Sequence, residues 1–127
     1  MDAFPLDAES AAGAGVSAAL PAPGTALKAL DAIPDPGGAP ADYAPAPILI
    51  VRSGETVTAF LNVCPHQGRP LCLPSGRTLV SEGRFLVCPF HGASFDIATG
   101  ACAGGPAGGS RLTAVPVQVA DGMVVAA

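Results

Sequence analysis

The chain has 127 residues, a length typical of one domain, and a net charge of −4. Half of its residues are apolar, but 25 are alanine, and glycine and proline together number 30, so the composition argues against a helical bundle. Residues 1–47 hold six acids and one base, and residues 48–127 hold four acids and five arginines. This distribution contains no basic footprint typical of nucleic-acid binding.

No segment of the sequence is apolar enough to predict a membrane span. The longest strongly apolar run is Ile48–Val51, far below the roughly 20 residues that a bilayer requires. Asp2, Asp7 and Glu9 stand where a signal peptide would carry basic residues. We therefore expect a soluble, cytoplasmic protein, in which the four cysteines are suited to metal or redox chemistry rather than to disulfides.

The N-terminal third carries little structural signal. Residues 1–24 are rich in alanine, glycine and proline and are predicted to form a flexible tail. Thr25–Ile33 has the pattern of a first strand or a helical turn, and Pro34–Pro47 that of a loop with Tyr43 as its one large side chain. A single domain is expected over residues 25–127.

Beyond Pro47, short apolar runs alternate with turn residues, which is typical of an antiparallel all-β domain. Hairpin turns are predicted at Ser53-Gly54, Glu82-Gly83 and Asp121-Gly122. The predicted strands are Ile48–Val51, Val57–Val63, Thr78–Val80, Phe85–Val87, Ser94–Ile97, Val115–Val119 and Met123–Val125.

Each of the two histidines stands beside a cysteine. The pairs are Cys64-Pro65-His66 and Cys88-Pro89-Phe90-His91, and each follows a predicted strand and is followed closely by a glycine. Two loops that each supply a thiolate and an imidazole provide a metal site with two sulfur and two nitrogen ligands.

Three interpretations of these pairs are open. They could be a coincidence of core cysteines and surface histidines, although the pairs use every histidine in the chain. They could bind a structural zinc ion, but zinc fingers usually pair Cys with Cys and His with His. They could instead hold an iron–sulfur cluster with mixed ligands.

The third interpretation rests on a resemblance to the Rieske [2Fe–2S] family, whose signature is Cys-x-His, a spacer, then Cys-x-x-His. Cys-Pro-His-Gln-Gly from Cys64 and Cys-Pro-Phe-His-Gly-Ala-Ser-Phe-Asp from Cys88 match it in order and spacing. The resemblance extends over residues 25–127 and implies a fold of small antiparallel sheets. The 21 residues between His66 and Cys88 form a longer spacer than is usual in small Rieske ferredoxins, with the excess expected in Leu71–Gly76.

The resemblance implies that Cys64 and Cys88 bind one iron of a single cluster and that His66 and His91 bind the other. Two ferric irons, two sulfides, two thiolates and two neutral imidazoles sum to zero charge. Because an electron enters a neutral site more readily than an anionic one, such clusters have potentials of about −150 to +300 mV. Gly68, Gly92 and Pro106 are expected to shape the loops around the cluster, with Gly104-Gly105-Pro106 closing over it.

Two features distinguish this chain from the respiratory Rieske proteins. Where respiratory Rieske proteins place a serine and a tyrosine that donate hydrogen bonds to the cluster, this chain has Ala93 and Phe95. We therefore expect a potential near the low end of the range, at about −150 mV. The respiratory proteins also join their loops by a disulfide, and Arg69 and Phe90 occupy those positions here.

The remaining cysteines, Cys72 and Cys102, match no ligand position and are expected to be small packing residues. A disulfide between them has no support in the sequence. Arg69, Arg77 and Arg84 lie near the cluster loops in sequence and are candidates for a basic rim that docks an acidic partner.

These features predict a soluble Rieske-type ferredoxin, a one-electron carrier that receives electrons from a reductase and passes them to an oxygenase or a related redox enzyme. It would not be an enzyme itself, because the cluster uses both histidines and none remains for a catalytic iron. The alternatives are an accessory Rieske subunit, similar to the small subunit of nitrite reductase, and the structural zinc protein.

Overall fold

The computed structural model describes residues 20–65, 68–90, 92–105 and 109–127. Within these ranges the chain forms ten short strands and one 3₁₀ turn, Leu30–Ala32, and no helix has the length and apolarity needed to cross a bilayer. The strands are β1 (Ala26–Ala29), β2 (Gly37–Pro40), β3 (Ile48–Ser53), β4 (Thr56–Leu61), β5 (Leu79–Ser81), β6 (Phe85–Val87), β7 (Ser94–Asp96), β8 (Cys102–Gly104), β9 (Val117–Ala120) and β10 (Met123–Ala126).

The strands form three small antiparallel sheets, which confirms the predicted all-β class. The terminal sheet has the order β1-β10-β9, the central sheet β2-β3-β4, and the third sheet β5-β6-β7-β8. The third sheet is a meander of consecutive strands, whereas the terminal sheet pairs the first strand with the last, from Ala26 opposite Val125 to Ala29 opposite Met123.

A hairpin forms at each of the three predicted turns, but the first turn is Gly54-Glu55 rather than Ser53-Gly54, because Ser53 ends β3 opposite Thr56. Asp121 and Gly122 both have positive φ, 51° and 76°, and connect β9 to β10 as a two-residue turn. Glu82 and Gly83 also have positive φ, and they lie in the turn between β5 and β6. The segment Thr25–Ile33 contains both of the predicted alternatives, since β1 is followed at once by the 3₁₀ turn.

Two strands contradict the sequence prediction. β2, with the sequence Gly-Gly-Ala-Pro, lies inside the segment predicted as a loop, and β8 was not expected. Neither has the β-branched or aromatic residues that favour strands. β2 forms because it pairs with four residues of β3, from Gly37 opposite Arg52 to Pro40 opposite Leu49, and β8 forms because it pairs with β7.

The central sheet is buried on both faces, which explains the continuous apolar run in β3. Leu49 and Val51 face one group of buried residues, and Ile48 and Ile50 face another. We call these groups the first core and the second core. The first core comprises Leu49, Val51, Phe60, Cys64, Leu71, Cys72, Leu86, Cys88, Ala93, Phe95, Ile97 and Leu112. The second core comprises Leu27, Ile33, Ala39, Ala46, Ile48, Ile50, Ala59, Leu61, Val115 and Val124.

The predicted tail, residues 1–24, lies outside the described residues up to position 19. Its last residues contact the fold: Leu20 packs against the second core, and the Gly24 N–H donates to the Ala126 carbonyl at 2.8 Å. The described part of the N-terminal segment therefore lies beside the terminal sheet.

Candidate metal centre

Two loops with the same backbone hydrogen bonds carry the predicted ligands. The first loop is residues 64–69, and the second loop is residues 88–93. In the first, the Cys64 N–H donates to the Arg69 carbonyl and the Gly68 N–H to the Cys64 carbonyl, both at 2.7 Å. In the second, the Cys88 N–H donates to the Ala93 carbonyl at 2.8 Å and the Gly92 N–H to the Cys88 carbonyl at 3.0 Å. Each loop is thus closed at its base, beneath its cysteine.

The fifth residue of each loop is a glycine in the left-handed region. Gly68 has φ 72° and Gly92 has φ 77°. A residue with a Cβ pays about 1–2 kcal/mol in this conformation, so the glycine allows the chain to turn back at low cost. This is the physical reason for the glycines that the sequence places after each Cys–His pair.

The loops start from neighbouring elements of the fold. Cys88 follows β6 directly, and Cys64 comes three residues after the end of β4, because β4 ends at Leu61 rather than at the predicted Val63. Each cysteine has 2% of its surface exposed, and both belong to the first core. The fold therefore brings the two predicted sulfur ligands into one buried apolar environment.

This environment fits the sulfur half of an iron–sulfur cluster, because thiolates buried among apolar side chains are shielded from water. His66 and His91, the other predicted ligands, lie outside the described residues. Among the residues that are described, no group of three or more His, Cys, Asp or Glu side chains is placed to hold a metal ion.

The side chains at positions 93 and 95, where respiratory Rieske proteins have a serine and a tyrosine, are apolar. Ala93 and Phe95 are fully buried in the first core with Cys64 and Cys88. A methyl group and a phenyl ring cannot donate a hydrogen bond to sulfur. The buried residues around the Cys64 and Cys88 thiols therefore offer no hydroxyl donor at these two positions, as the sequence predicts.

A third loop packs directly on the second. β8 pairs with β7 so that Gly104 lies opposite Ser94, and Gly105 follows with φ 90°. A Cβ built on Gly105 would lie 2.8 Å from the Ala93 Cα and 3.1 Å from the Gly92 carbonyl oxygen. Gly105 therefore lies against the second loop. That Gly104-Gly105-Pro106 closes over the cluster stays a prediction, because Pro106 lies outside the described residues.

A comparison with protein-family models supplies the decisive observation. The model of the Rieske [2Fe-2S] domain matches residues 27–119. The chain belongs to the Rieske [2Fe-2S] domain family. It accordingly binds one [2Fe–2S] cluster, and the family match favours this cofactor over the zinc alternative.

Solved structures of Rieske ferredoxins share this fold. The ferredoxin of Sphingomonas yanoikuyae B1 is 27% identical, with a TM-score of 0.68, and the match covers 81% of this chain and 96% of that one. The ferredoxin of carbazole 1,9a-dioxygenase from Nocardioides aromaticivorans IC177 is 23% identical, with a TM-score of 0.70 and coverages of 84% and 98%. The comparison with curated protein sequences gives no match.

The terminal oxygenase of carbazole 1,9a-dioxygenase from Nocardioides aromaticivorans IC177 also matches, but over a small part of its length. It is 20% identical, with a TM-score of 0.72, and the match covers 88% of this chain and 32% of the oxygenase. At this identity the likeness is one of fold.

Asn62 is a residue of this Rieske domain that the sequence analysis missed. Its Oδ1 accepts a hydrogen bond from the Leu71 N–H at 2.7 Å, and its Nδ2 donates to the Cys72 Sγ at 3.5 Å. Leu71 and Cys72 are both buried. Asn62 therefore links the segment before the first loop to the segment that follows it. An Asn between a strand and a ligand motif is the one available signal, and it is a weak one.

The two remaining cysteines are free, as expected. Cys72 is buried in the first core, and Cys102 is partly buried against it. Both therefore serve as small packing residues in the described fold.

The predicted rim of three arginines does not form around the cluster loops. Leu79 pairs with Val87 and Ser81 with Phe85, so Arg84 lies at the turn end of this hairpin and Cys88 follows the opposite end. About 13 Å of extended chain separates them, and the Arg84 Nε lies 3.8 Å from the Asp96 Oδ2. Arg69 belongs to the first loop, and Arg77 precedes β5 at the end nearer Cys88.

Proposed function

We propose that this Rieske domain carries single electrons from a reductase to an oxygenase or a related redox enzyme in the cytoplasm. In this proposal the Cys64 and Cys88 thiolates bind one iron, and the His66 and His91 imidazoles bind the other. When bound, a cluster with these ligands accepts and returns one electron. The observation that carries the proposal is the match of residues 27–119 to the Rieske [2Fe-2S] domain, with the 27% identical ferredoxin of Sphingomonas yanoikuyae B1 as a structural neighbour.

The cysteines of the two loops are buried, whereas the loop tips are exposed. Cys64 and Cys88 lie in the first core, where water is excluded from the ligating sulfurs. Pro65 and Gly68, which flank the first histidine motif, are exposed, as are Phe90 and Gly92 on either side of His91. Exposed loop tips beside the imidazole ligands would give an electron a short path to a partner on the surface.

An oxygenase partner is supported by a further structural neighbour. A chain of the complex of reduced oxygenase and oxidized ferredoxin in carbazole 1,9a-dioxygenase is 25% identical, with a TM-score of 0.68, and the match covers 90% of that chain. A cytoplasmic location is supported by Cys72 and Cys102, which form no disulfide, since a reducing compartment keeps thiols unpaired.

The ligand assignment is tested by matched variants of the purified protein. We expect wild type to contain iron and acid-labile sulfide in equal amounts and, when reduced, to give an electron paramagnetic resonance spectrum with a low average g value. Cys64→Ser, Cys88→Ser, His66→Ala and His91→Ala should each abolish that spectrum. Cys72→Ser and Gln67→Ala are the controls and should retain it. A colourless protein that contains zinc would contradict the proposal.

The electron route is tested by reconstitution. We expect the protein to be reduced by a flavin-dependent reductase and NADH and then to be oxidised by a terminal oxygenase in the presence of its substrate. Size-exclusion chromatography tests the accessory-subunit alternative, because a carrier is stable as a free monomer. A chain that is stable only in complex with a larger oxidoreductase would contradict the proposed route.

A further inference from the structure

One side-chain contact joins the two ligand loops. The Arg69 guanidinium lies over the Phe90 ring, with its Cζ 5.0 Å from the ring centroid. Arg69 is the last residue of the first loop, and Phe90 is the third residue of the second. A guanidinium within about 6 Å of a ring centroid is attracted by the electron-rich face of the ring.

This contact differs from the hydrogen bonds at the bases of the loops. Those bonds, Cys64 to Arg69 and Cys88 to Ala93, each close one loop on itself. The Arg69–Phe90 contact instead runs from one loop to the other. It also accounts for an unusual surface residue, since Phe90, with 39% of its surface exposed, is one of the two large apolar side chains left exposed in the described parts of the chain.

We propose that Arg69 and Phe90 form a clamp that holds the two ligand loops together at the protein surface and slows the loss of the cluster. Phe90 immediately precedes His91, and Arg69 follows His66 by three residues. The clamp therefore restrains the backbone beside both proposed histidine ligands. It rests on the proposed function, and both residues are positioning residues that do not bind iron.

The size of the effect follows from the strength of such contacts. An exposed cation–π pair changes an equilibrium or a rate by roughly two- to five-fold. We therefore expect the clamp to slow cluster loss by that factor. The fold itself should be unaffected, because both side chains are exposed at the surface.

A double-mutant cycle tests the clamp. The variants are Arg69→Met, Phe90→Leu and the double variant, and the measurement is the rate at which visible absorbance is lost in excess iron chelator. Each single variant should lose the cluster roughly two- to five-fold faster than wild type. The double variant should lose it no faster than the worse single variant, because both changes remove the same contact.

Conservative variants separate a clamp from a general packing role. Arg69→Lys and Phe90→Tyr keep a cation and a ring face, so they should restore most of the wild-type rate. Arg84 provides a matched control, because it lies 5.1 Å from the Phe85 ring centroid but at the far end of its hairpin. Arg84→Met should leave the rate of cluster loss unchanged.

The outcomes distinguish the clamp from the proposed function. Additive single effects, no rescue by Arg69→Lys, or an equal effect of Arg84→Met would overturn the clamp while the cluster remained bound in wild type. A wild-type protein without iron and sulfide would instead overturn the proposed function, and the clamp with it.

Discussion

At the residue scale, the side chains around the two proposed sulfur ligands influence the reduction potential of the cluster. Ala93 and Phe95 are fully buried in the first core beside Cys64 and Cys88. Hydrogen bonds to sulfur stabilise the reduced, more negative form of a cluster and raise its potential. Two buried side chains without donors therefore favour a low potential.

We predict a midpoint potential below zero, at about −150 mV. Phe95→Tyr adds a hydroxyl within the first core, and one hydrogen bond to a charged group is worth about 1.5 kcal/mol, which for one electron is about 60 mV. The variant should therefore shift the potential upward by about that amount in a spectroelectrochemical titration. The control is Phe95→Leu, which adds no donor and should leave the potential low. A reversible wild-type midpoint above about +100 mV would contradict the prediction.

At the element scale, the site is built from loops that approach one another as backbone. The third loop can reach the second because Gly105 has no side chain, and its would-be Cβ position is 2.8 Å from the Ala93 Cα. The neighbouring Gly104 has open space around the same position. A methyl group added at Gly105 would thus clash with the backbone of the second loop, whereas one added at Gly104 would not.

Gly105→Ala should lower the free energy of unfolding by about 1–3 kcal/mol, because the alanine must adopt a positive φ and its methyl group meets backbone that cannot move aside easily. Cluster loss in chelator should also become faster. Gly104→Ala is the matched control and should change stability by less than about 0.5 kcal/mol. Chemical denaturation and iron content measure the two effects, and equal stabilities of the two variants would rule out the close approach.

At the scale of the whole molecule, the central sheet separates two cores with different tasks. The first core contains Cys64 and Cys88, and the second core lies on the other face of β3 against the terminal sheet. Leu86 is fully buried in the first core, and Leu27 is almost fully buried in the second. The same substitution can therefore be made on both sides of the sheet.

Leu86→Ala and Leu27→Ala should each lower the free energy of unfolding by about 3–5 kcal/mol, since each removes a buried side chain and leaves a cavity. Only Leu86→Ala should also speed cluster loss well below the melting temperature, because Leu86 shares the first core with Cys64 and Cys88, the proposed sulfur ligands. Denaturant titration and chelator kinetics on both variants test this. Equal acceleration by Leu27→Ala would show that the cores do not act separately.

Local sequence patterns predicted much of the fold. β6 has the predicted bounds, β3, β7 and β10 begin at the predicted residues, and the Asp121-Gly122 turn forms as expected. These elements depend on apolar alternation and on residues that tolerate positive φ, and both are visible in short windows. β2 and β8 were missed because their Gly- and Ala-rich sequences become strands through their partners β3 and β7.

For the candidate site, too, the sequence predicted some features correctly and others not. Their positions beside the two histidines and the resemblance to the Rieske signature singled out Cys64 and Cys88, and the fold buries both in one core. The assignments of His66, His91 and Pro106 stay predictions, because these residues lie outside the described ranges. The predicted rim of three arginines was wrong for Arg84, because nearness in sequence does not reveal at which end of a hairpin a residue lies.

By itself, the sequence determined the all-β class and the Rieske motif, because each depends on residue type and short spacing, and the resemblance to that motif predicts Cys64 and Cys88 as iron ligands. Only the tertiary structure decided that Arg69 lies over Phe90, that Gly105 abuts Ala93, and that Asn62 bonds to the chain at Leu71. These contacts join residues that are 9 to 21 positions apart in the chain. Their geometry depends on how strands pair and loops pack, which no local pattern encodes.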